Sequence, residues 1–342
     1  METGSVNLPL WGGLGLGVLL GVVLQRSGFC ARAALADAFD GKDKGRLRAF
    51  VLAMAVTLLG TQLLAGYGLV NLSGTPYLRA GVPLLGLLIG GALFGAGMML
   101  AGGCPSRLIV RAAQGQGAAL LSWLVFVLAI MASLEGVLAP VREMLSGPTV
   151  QLPAVSLPAL FGGVPAWAVT SGMLVLMGLF LFTAPKGSAW RGWRLPLGGT
   201  LVGLLVATSW YVSVAGADEF ETPVASSLAF VAPAQDFLRY LTMTRLGFGL
   251  KFGAASVLGV FIGTYASALL ARQFTWTMPS GPQMLRNLAG GLMMALGGIL
   301  AMGCTIGQGI AGFATLSVSS LLAMVAMVLG AWLAHRVLTR VS

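Results

Sequence analysis

Long stretches without a single Asp, Glu, Lys or Arg dominate the chain: residues 3–25, 49–78, 80–106, 112–134, 144–185, 195–217, 252–271 and 287–334. Each is at least as long as the roughly 20 residues a helix needs to cross the hydrocarbon core, and the last is about twice that. Charges, prolines and glycines at their ends divide them into nine predicted spans: Pro9 to Leu24, Ala49 to Val70, Val82 to Gly103, Ala118 to Leu134, Trp167 to Thr183, Leu197 to Val214, Leu246 to Ala271, Met284 to Gly303 and Val318 to Ala334. Between them the pattern predicts a short helix over Ala31 to Phe39 and a broken segment over Cys104 to Gln116. It leaves a Pro- and Gly-spotted linker over 140–165 and a loop over 217–245. The fold class is an all-α integral membrane protein.

Charge then sets direction. The net charge of +10 would suggest nucleic acid in a soluble chain, but the basic residues sit between apolar runs, so no nucleic-acid partner is expected. Lys42, Lys44, Arg46 and Arg48 form one dense turn; Lys186, Arg191 and Arg194, flanked by Trp190 and Trp193, form a second; His335, Arg336 and Arg340 close the chain. With these on the cytoplasmic side, the amino terminus falls outside and the acidic loop Asp218-Glu219-Glu221 suits the outside. The first basic residue is Arg26, so no cleaved signal peptide is expected.

The chain also repeats itself. Leu88 to Cys104 aligned with Leu288 to Cys304 gives eight identities in seventeen positions, ending in Gly103-Cys104 and Gly303-Cys304. Gly12-Gly13 and Gly17 resemble Gly198-Gly199 and Gly203, and Arg46-Leu47 with Gly60 resembles Arg245-Leu246 with Gly259. A first repeat over 9–134, a linker and central helix over 135–195, and a second repeat over 196–342 follow, making one membrane transport domain. An odd central span inverts the second copy, a 4+1+4 arrangement. Inverted repeats whose broken helices meet near the midplane are a transporter architecture. Duplication for packing alone is the alternative.

Candidate chemistry lies at the breaks. Cys30, Cys104 and Cys304 lack any CxxC spacing, and the single His335 lies near the terminus, so neither a disulfide framework nor a metal site is expected, and no cofactor motif is present. Pro105 suits a first helical turn, so Cys104 is expected to cap a short helix running through Arg111. Helix starts offer free N–H groups and a partial positive charge, which fit an anion. Arg107 and Arg111 read equally well as anion contacts or as topology charges. Cys304-Thr305-Ile306-Gly307-Gln308 builds a similar start, with Thr305 and Gln308 in place of arginines. Arg26 and Arg32 flank Cys30, whose equivalent in the second half falls near Gly216, without a thiol. Met98, Met99, Met293, Met294 and Met302 allow a Cu(I) path, though in so apolar a core they read first as packing.

The segments RSGFCARAALAD, GAGMMLAGGCPSRLIVRAAQGQG and ALGGILAMGCTIGQGIAG resemble the three signature segments of the YeeE/YedE family of bacterial sulfur transporters. The resemblance implies an hourglass-shaped inner-membrane permease for thiosulfate uptake, not an enzyme. Its three cysteines, here Cys30, Cys104 and Cys304, would line the path, with Arg107 and Arg111 beside them. No carrier domain is fused to the chain, so an intracellular acceptor would be a separate TusA-like sulfur-carrier protein; membrane lipid is the remaining partner. Selenium or other reduced sulfur species stay open as substrates. A Cu(I) permease and a membrane thiol oxidoreductase are the rival classes.

Overall fold

The computed structural model describes residues 8–151, 154–185, 188–215, 224–243, 250–278 and 280–341. Lys186, Gly216, the acidic loop at 218–221 and Arg245-Leu246 lie outside them. The first six helices are α1 (Leu8–Ser27), α2 (Ala31–Phe39), α3 (Gly45–Gly66), α4 (Leu84–Leu100), α5 (Pro105–Ala113) and α6 (Gly117–Glu135). A connecting stretch holds α7 (Ala139–Ser146), α8 (Leu157–Leu160) and α9 (Ala166–Phe182). Then come α10 (Arg194–Val214), α11 (Ala232–Met243), α12 (Phe252–Leu270), α13 (Gly281–Leu300) and α14 (Val318–Val341), with a π-helical turn at Gly307–Gly312 before the last. Sheet among the described residues is confined to Gly81–Val82 pairing antiparallel with Val150–Gln151.

Among the described residues, seven helical stretches are long and apolar enough to cross a membrane: α1 with α2, α3, α4 with α5, α6, α10, α12 and α14. Nine spans were expected. Of the other two, α9 has 17 residues, and α13 carries Gln283, Arg286 and Asn287 in its first two turns. Two further expectations change. The linker over 140–165 contains helix and strand, and the loop over 217–245 contains α11, whose Gln235, Asp236 and Arg239 break the apolar run that would reveal a span.

Packing follows a scheme that exchange leaves unchanged. α1 lies along α12 and α10 along α3; α4 lies along α14 and α13 along α6; α2 rests on α3 and α14, and α11 on α12 and α6. Swapping α1, α2, α3, α4 and α6 for α10, α11, α12, α13 and α14 returns the same pairs. At the centre α4 crosses α13. A Cβ added at Gly90 would stand 2.6 Å from the Ala301 nitrogen, and one at Gly290 would stand 2.5 Å from the Ala101 nitrogen. The early part of each helix meets the late part of the other, so the pair is antiparallel. Likewise Gly12 faces Val212 and Gly198 faces Ser27, so α1 and α10 are antiparallel. Small residues let backbones meet this closely where lipid offers no hydrophobic drive to associate.

The same exchange relates two polar ties. Glu135, at the end of α6, pairs with Arg239 of α11 and accepts a hydrogen bond from Gln235. His335, on α14, contacts Asp40 at the end of α2 at 2.7 Å. Position by position, the counterpart of Cys30 at the start of α11 is Val231, with Phe230 standing as Phe29 does. That replaces the expected Gly216.

Candidate functional site

Three helices are interrupted in the same way. After α1 the backbone turns left-handed at Gly28, φ +67°, and Cys30 then opens α2 from an extended conformation. After α4, Gly102 has φ +76° and Cys104 opens α5. After α13, Met302 has φ 57° and Cys304 opens the segment leading into the π-helical turn. In each case the left-handed residue stands two positions before the thiol. Glycine suits that conformation; Met302 adopts it at a cost of roughly 1 kcal/mol.

Each Cys carbonyl accepts the first helical hydrogen bond, from Ala34, Leu108 and Gln308 respectively. The sulfurs are therefore left beside helix N–H groups. Cys304 Sγ accepts the Gly307 N–H at 3.3 Å, with the Ile306 and Phe230 amides also directed at it. Cys104 Sγ lies 3.2 Å from the Ser106 hydroxyl, and Cys30 has the Ala33 amide. All three thiols are buried. Cys104 is within electrostatic reach of both Cys30 and Cys304. Among the described residues no three His, Cys, Asp or Glu side chains gather to hold a metal ion.

Two cavities with charged residues in their walls reach the turns before Cys304 and Cys30. One, of about 520 Å³, reaches Met302 and Gly303 and is lined by Tyr77, Arg79, Ser226, Ser227, Asp236 and Lys251. The other, of about 550 Å³, reaches Ser27 and Gly28 and is lined by Lys42, Arg46 and Arg194 together with Asp37 and Asp43. Trp210 of α10 lines the first and Leu195 the second, which separates the mouths by about 22 Å along that helix. Burial lifts the Asp236 carboxyl above its ordinary range, against the pull of Lys251 and Arg239. Burial and then the nearby Cys304 push the Tyr77 hydroxyl well above its ordinary range, so it remains a neutral donor. A Cβ on Gly307 would stand 3.4 Å from that hydroxyl and 3.7 Å from Cys304 Sγ, so glycine keeps the space between them open.

The remaining sequence-derived candidates fall into two groups. Arg107 donates from Nη1 to the Leu24 carbonyl at 3.3 Å, and Arg111 donates to the Gly102 carbonyl at 3.0 Å and to Gln116 at 2.6 Å. Both stand by Cys30 with Arg32, within electrostatic reach of one another. Away from the cavities, Arg26 is exposed and bonded to Ser267. Gln308 is committed at both ends, donating to Ala301 at 2.7 Å and accepting from Ser320 at 2.6 Å. Thr305 borders an apolar groove between α2, α3, α9 and α14, its buried hydroxyl without a partner among the described residues. Met98, Met99 and Met294 are packed in the core; Met302 borders the first cavity. Sequence reasoning missed Tyr77 and Phe230, which reach Cys304 from distant segments.

This chain is similar to the thiosulfate transporter TsuA of Escherichia coli (strain K12), 28% identical over 338 residues covering 94% of this chain and 92% of that one. It is similar to the thiosulfate transporter TsuA of Spirochaeta thermophila, 27% identical over 335 residues covering 94% and 97%. A shorter likeness, 33% identical over 113 residues, links 33% of this chain to 26% of the probable transporter YedE of Escherichia coli (strain K12). The Sulphur transport family is matched over residues 26–333, and this multi-pass membrane protein belongs to it.

Proposed function

We propose that the chain is a bacterial inner-membrane permease for thiosulfate uptake that passes the anion along Cys304, Cys104 and Cys30 in that order. The observation that carries this reading is three thiols at helix starts, Cys104 within electrostatic reach of the other two, with one cavity reaching the turn before Cys304 and another the turn before Cys30, each with charged residues in its wall. Two relatives named for thiosulfate transport, alike over almost their whole length, support the substrate. The repeats over 9–134 and 196–342 would be inverted copies, a reading supported by the antiparallel crossings of α4 with α13 and of α1 with α10. With the basic clusters inside, the Cys304 mouth faces outward and the amino terminus lies outside.

The physics favours a relay of weak contacts. A divalent anion entering the low-dielectric core unaided would meet a cost of many kcal/mol. Amides at the helix starts offset part of it, and neutral thiols donate S–H hydrogen bonds to the terminal sulfur. Along the thiols each contact is weak and there are several, so the ion passes from one to the next without being trapped there. A persulfide route would need a thiolate, and apolar burial opposes that charge. On the inner side the acceptor would be a separate TusA-like carrier or the bulk cytoplasm.

The test is uptake of labelled thiosulfate, and growth on it as sole sulfur source, in cells lacking their own sulfate and thiosulfate permeases. Wild type is expected to take it up, with excess sulfate competing only weakly. Uptake no better than in cells without the protein, at confirmed membrane expression, removes the reading and brings selenium species forward.

A further inference from the structure

Arg32, Arg107 and Arg111 stand within electrostatic reach of Cys30, without a counter-ion among the described residues. Arg32 lies two residues after Cys30 and Arg107 three residues after Cys104, and Arg111 reaches back to Gly102, two residues before Cys104. Arg107 and Arg111 are half-buried and donate only to neutral acceptors, the carbonyls of Leu24 and Gly102 and the Gln116 side chain. Arg32 is half-buried too, and its Nε is fully covered with no hydrogen-bond partner among the described residues. None of the three takes part in an ion pair among the described residues. Three partly desolvated guanidiniums repel one another, and water screens them poorly there.

We propose that these three arginines form a binding site for a tetrahedral divalent oxyanion at the Cys30 end of the path, and that release from this site is the slow step of transport. The proposal rests on the thiosulfate reading for its place in a path, though not for the site itself. Guanidiniums present paired N–H donors that match two oxygens of one tetrahedral anion. Around Cys304 the donors are backbone amides and the Tyr77 hydroxyl, all neutral. The soft end would therefore select for the terminal sulfur, while the arginine end binds sulfate and thiosulfate alike.

Thermal unfolding of the purified full chain in detergent tests this, with sodium sulfate or sodium thiosulfate against sodium chloride at matched ionic strength. Wild type is expected to gain stability saturably with either dianion and not with chloride. The alanine variant of all three cysteines should keep that response. Arg32→Gln should weaken half-saturation about tenfold while melting higher than wild type without dianion, because one of three repelling charges is gone. Arg32→Lys should fall between. A wild type with no dianion-specific gain overturns the proposal, and so does an Arg32→Gln protein that responds as wild type does. In vesicles, sulfate loaded on the inner side should slow thiosulfate uptake severalfold in wild type and less in Arg32→Gln; equal slowing counts against the site. An Arg32-dependent response in a protein that does not transport thiosulfate keeps the site and removes the transport reading; transport without any dianion response does the reverse.

Discussion

The breaks at Cys104 and Cys304 share a scaffold and differ in charge. Both follow a helix that crosses its counterpart through glycines, both turn left-handed two residues before the thiol, and both clasp the end of the preceding helix with a side chain from beyond the break. Arg111 holds the Gly102 carbonyl in one, and Gln308 holds that of Ala301 in the other. Past Cys104, Pro105 starts a regular nine-residue helix carrying Arg107 and Arg111. Past Cys304, the backbone relaxes into a π-helical turn at Gly307–Gly312, where glycines leave room for Tyr77 and Phe50. The scaffold thus fixes where a sulfur sits. The residues after it decide which charges are supplied nearby: those past Cys104 furnish two of the three arginines that stand by Cys30, and those past Cys304 furnish none.

The largest expected effect comes from removing the thiol within reach of both others. Cys104→Ala should lower thiosulfate uptake by at least about tenfold, a loss of about 1.4 kcal/mol or more at the middle contact. Cys104→Ser keeps a hydrogen-bond donor, so under a relay it should retain a measurable fraction of uptake where alanine does not. Equal and complete loss in both variants would favour a persulfide step. Next come the left-handed turns. Met302→Gly should raise the melting temperature by relieving roughly 1 kcal/mol, whereas Gly102→Ala should lower it by a similar amount or more, because its Cβ would meet Arg111 at 2.9 Å. Unchanged melting in both would show that the turns are not the equivalents described.

Smaller effects come from charge at the mouths. Because burial raises the Asp236 carboxyl, that group sheds its charge as pH falls through the raised value, and uptake should increase there; Asp236→Asn should flatten this arm of the pH–uptake profile. At the other mouth Asp43 binds the Ser188 hydroxyl at 2.6 Å and the Ala189 N–H at 2.8 Å, and its carboxyl is held below the ordinary range, chiefly by Ser188. Its folded value being depressed, the stability it adds is present above the ordinary carboxylate value of about 3.9 and is lost as pH falls through the lower one. Asp43→Asn should lower the melting temperature slightly at neutral pH and not at strongly acid pH.

The thiols and their breaks were legible because Gly-Cys recurs at matching positions in two apolar runs, and a left-handed turn is a local demand that glycine reveals. The crossing helices were legible as paired glycines for the same reason. What surrounds each thiol was not. Tyr77 comes from the turn after α3 and Phe230 from the segment before α11, and no local pattern ties either to Cys304. Arg26 and Arg32 look equivalent on either side of Cys30, yet the facing of α1 sends Arg26 to Ser267 on α12, and Arg32 stays with the thiol. α11 escaped notice because its Asp236 and Arg239 are used inside the fold, one in a mouth and one against Glu135.

Side-specific thiol labelling tests the central claim, the order of the cysteines between two opposite mouths, most directly. Single-cysteine variants would be treated with an anionic methanethiosulfonate reagent, from outside in whole cells and from inside in inverted vesicles. Cys304 is expected to react faster from outside and Cys30 faster from inside, with thiosulfate slowing both. Faster reaction of Cys30 from outside, or rates for the two that do not depend on the side of addition, would contradict the account.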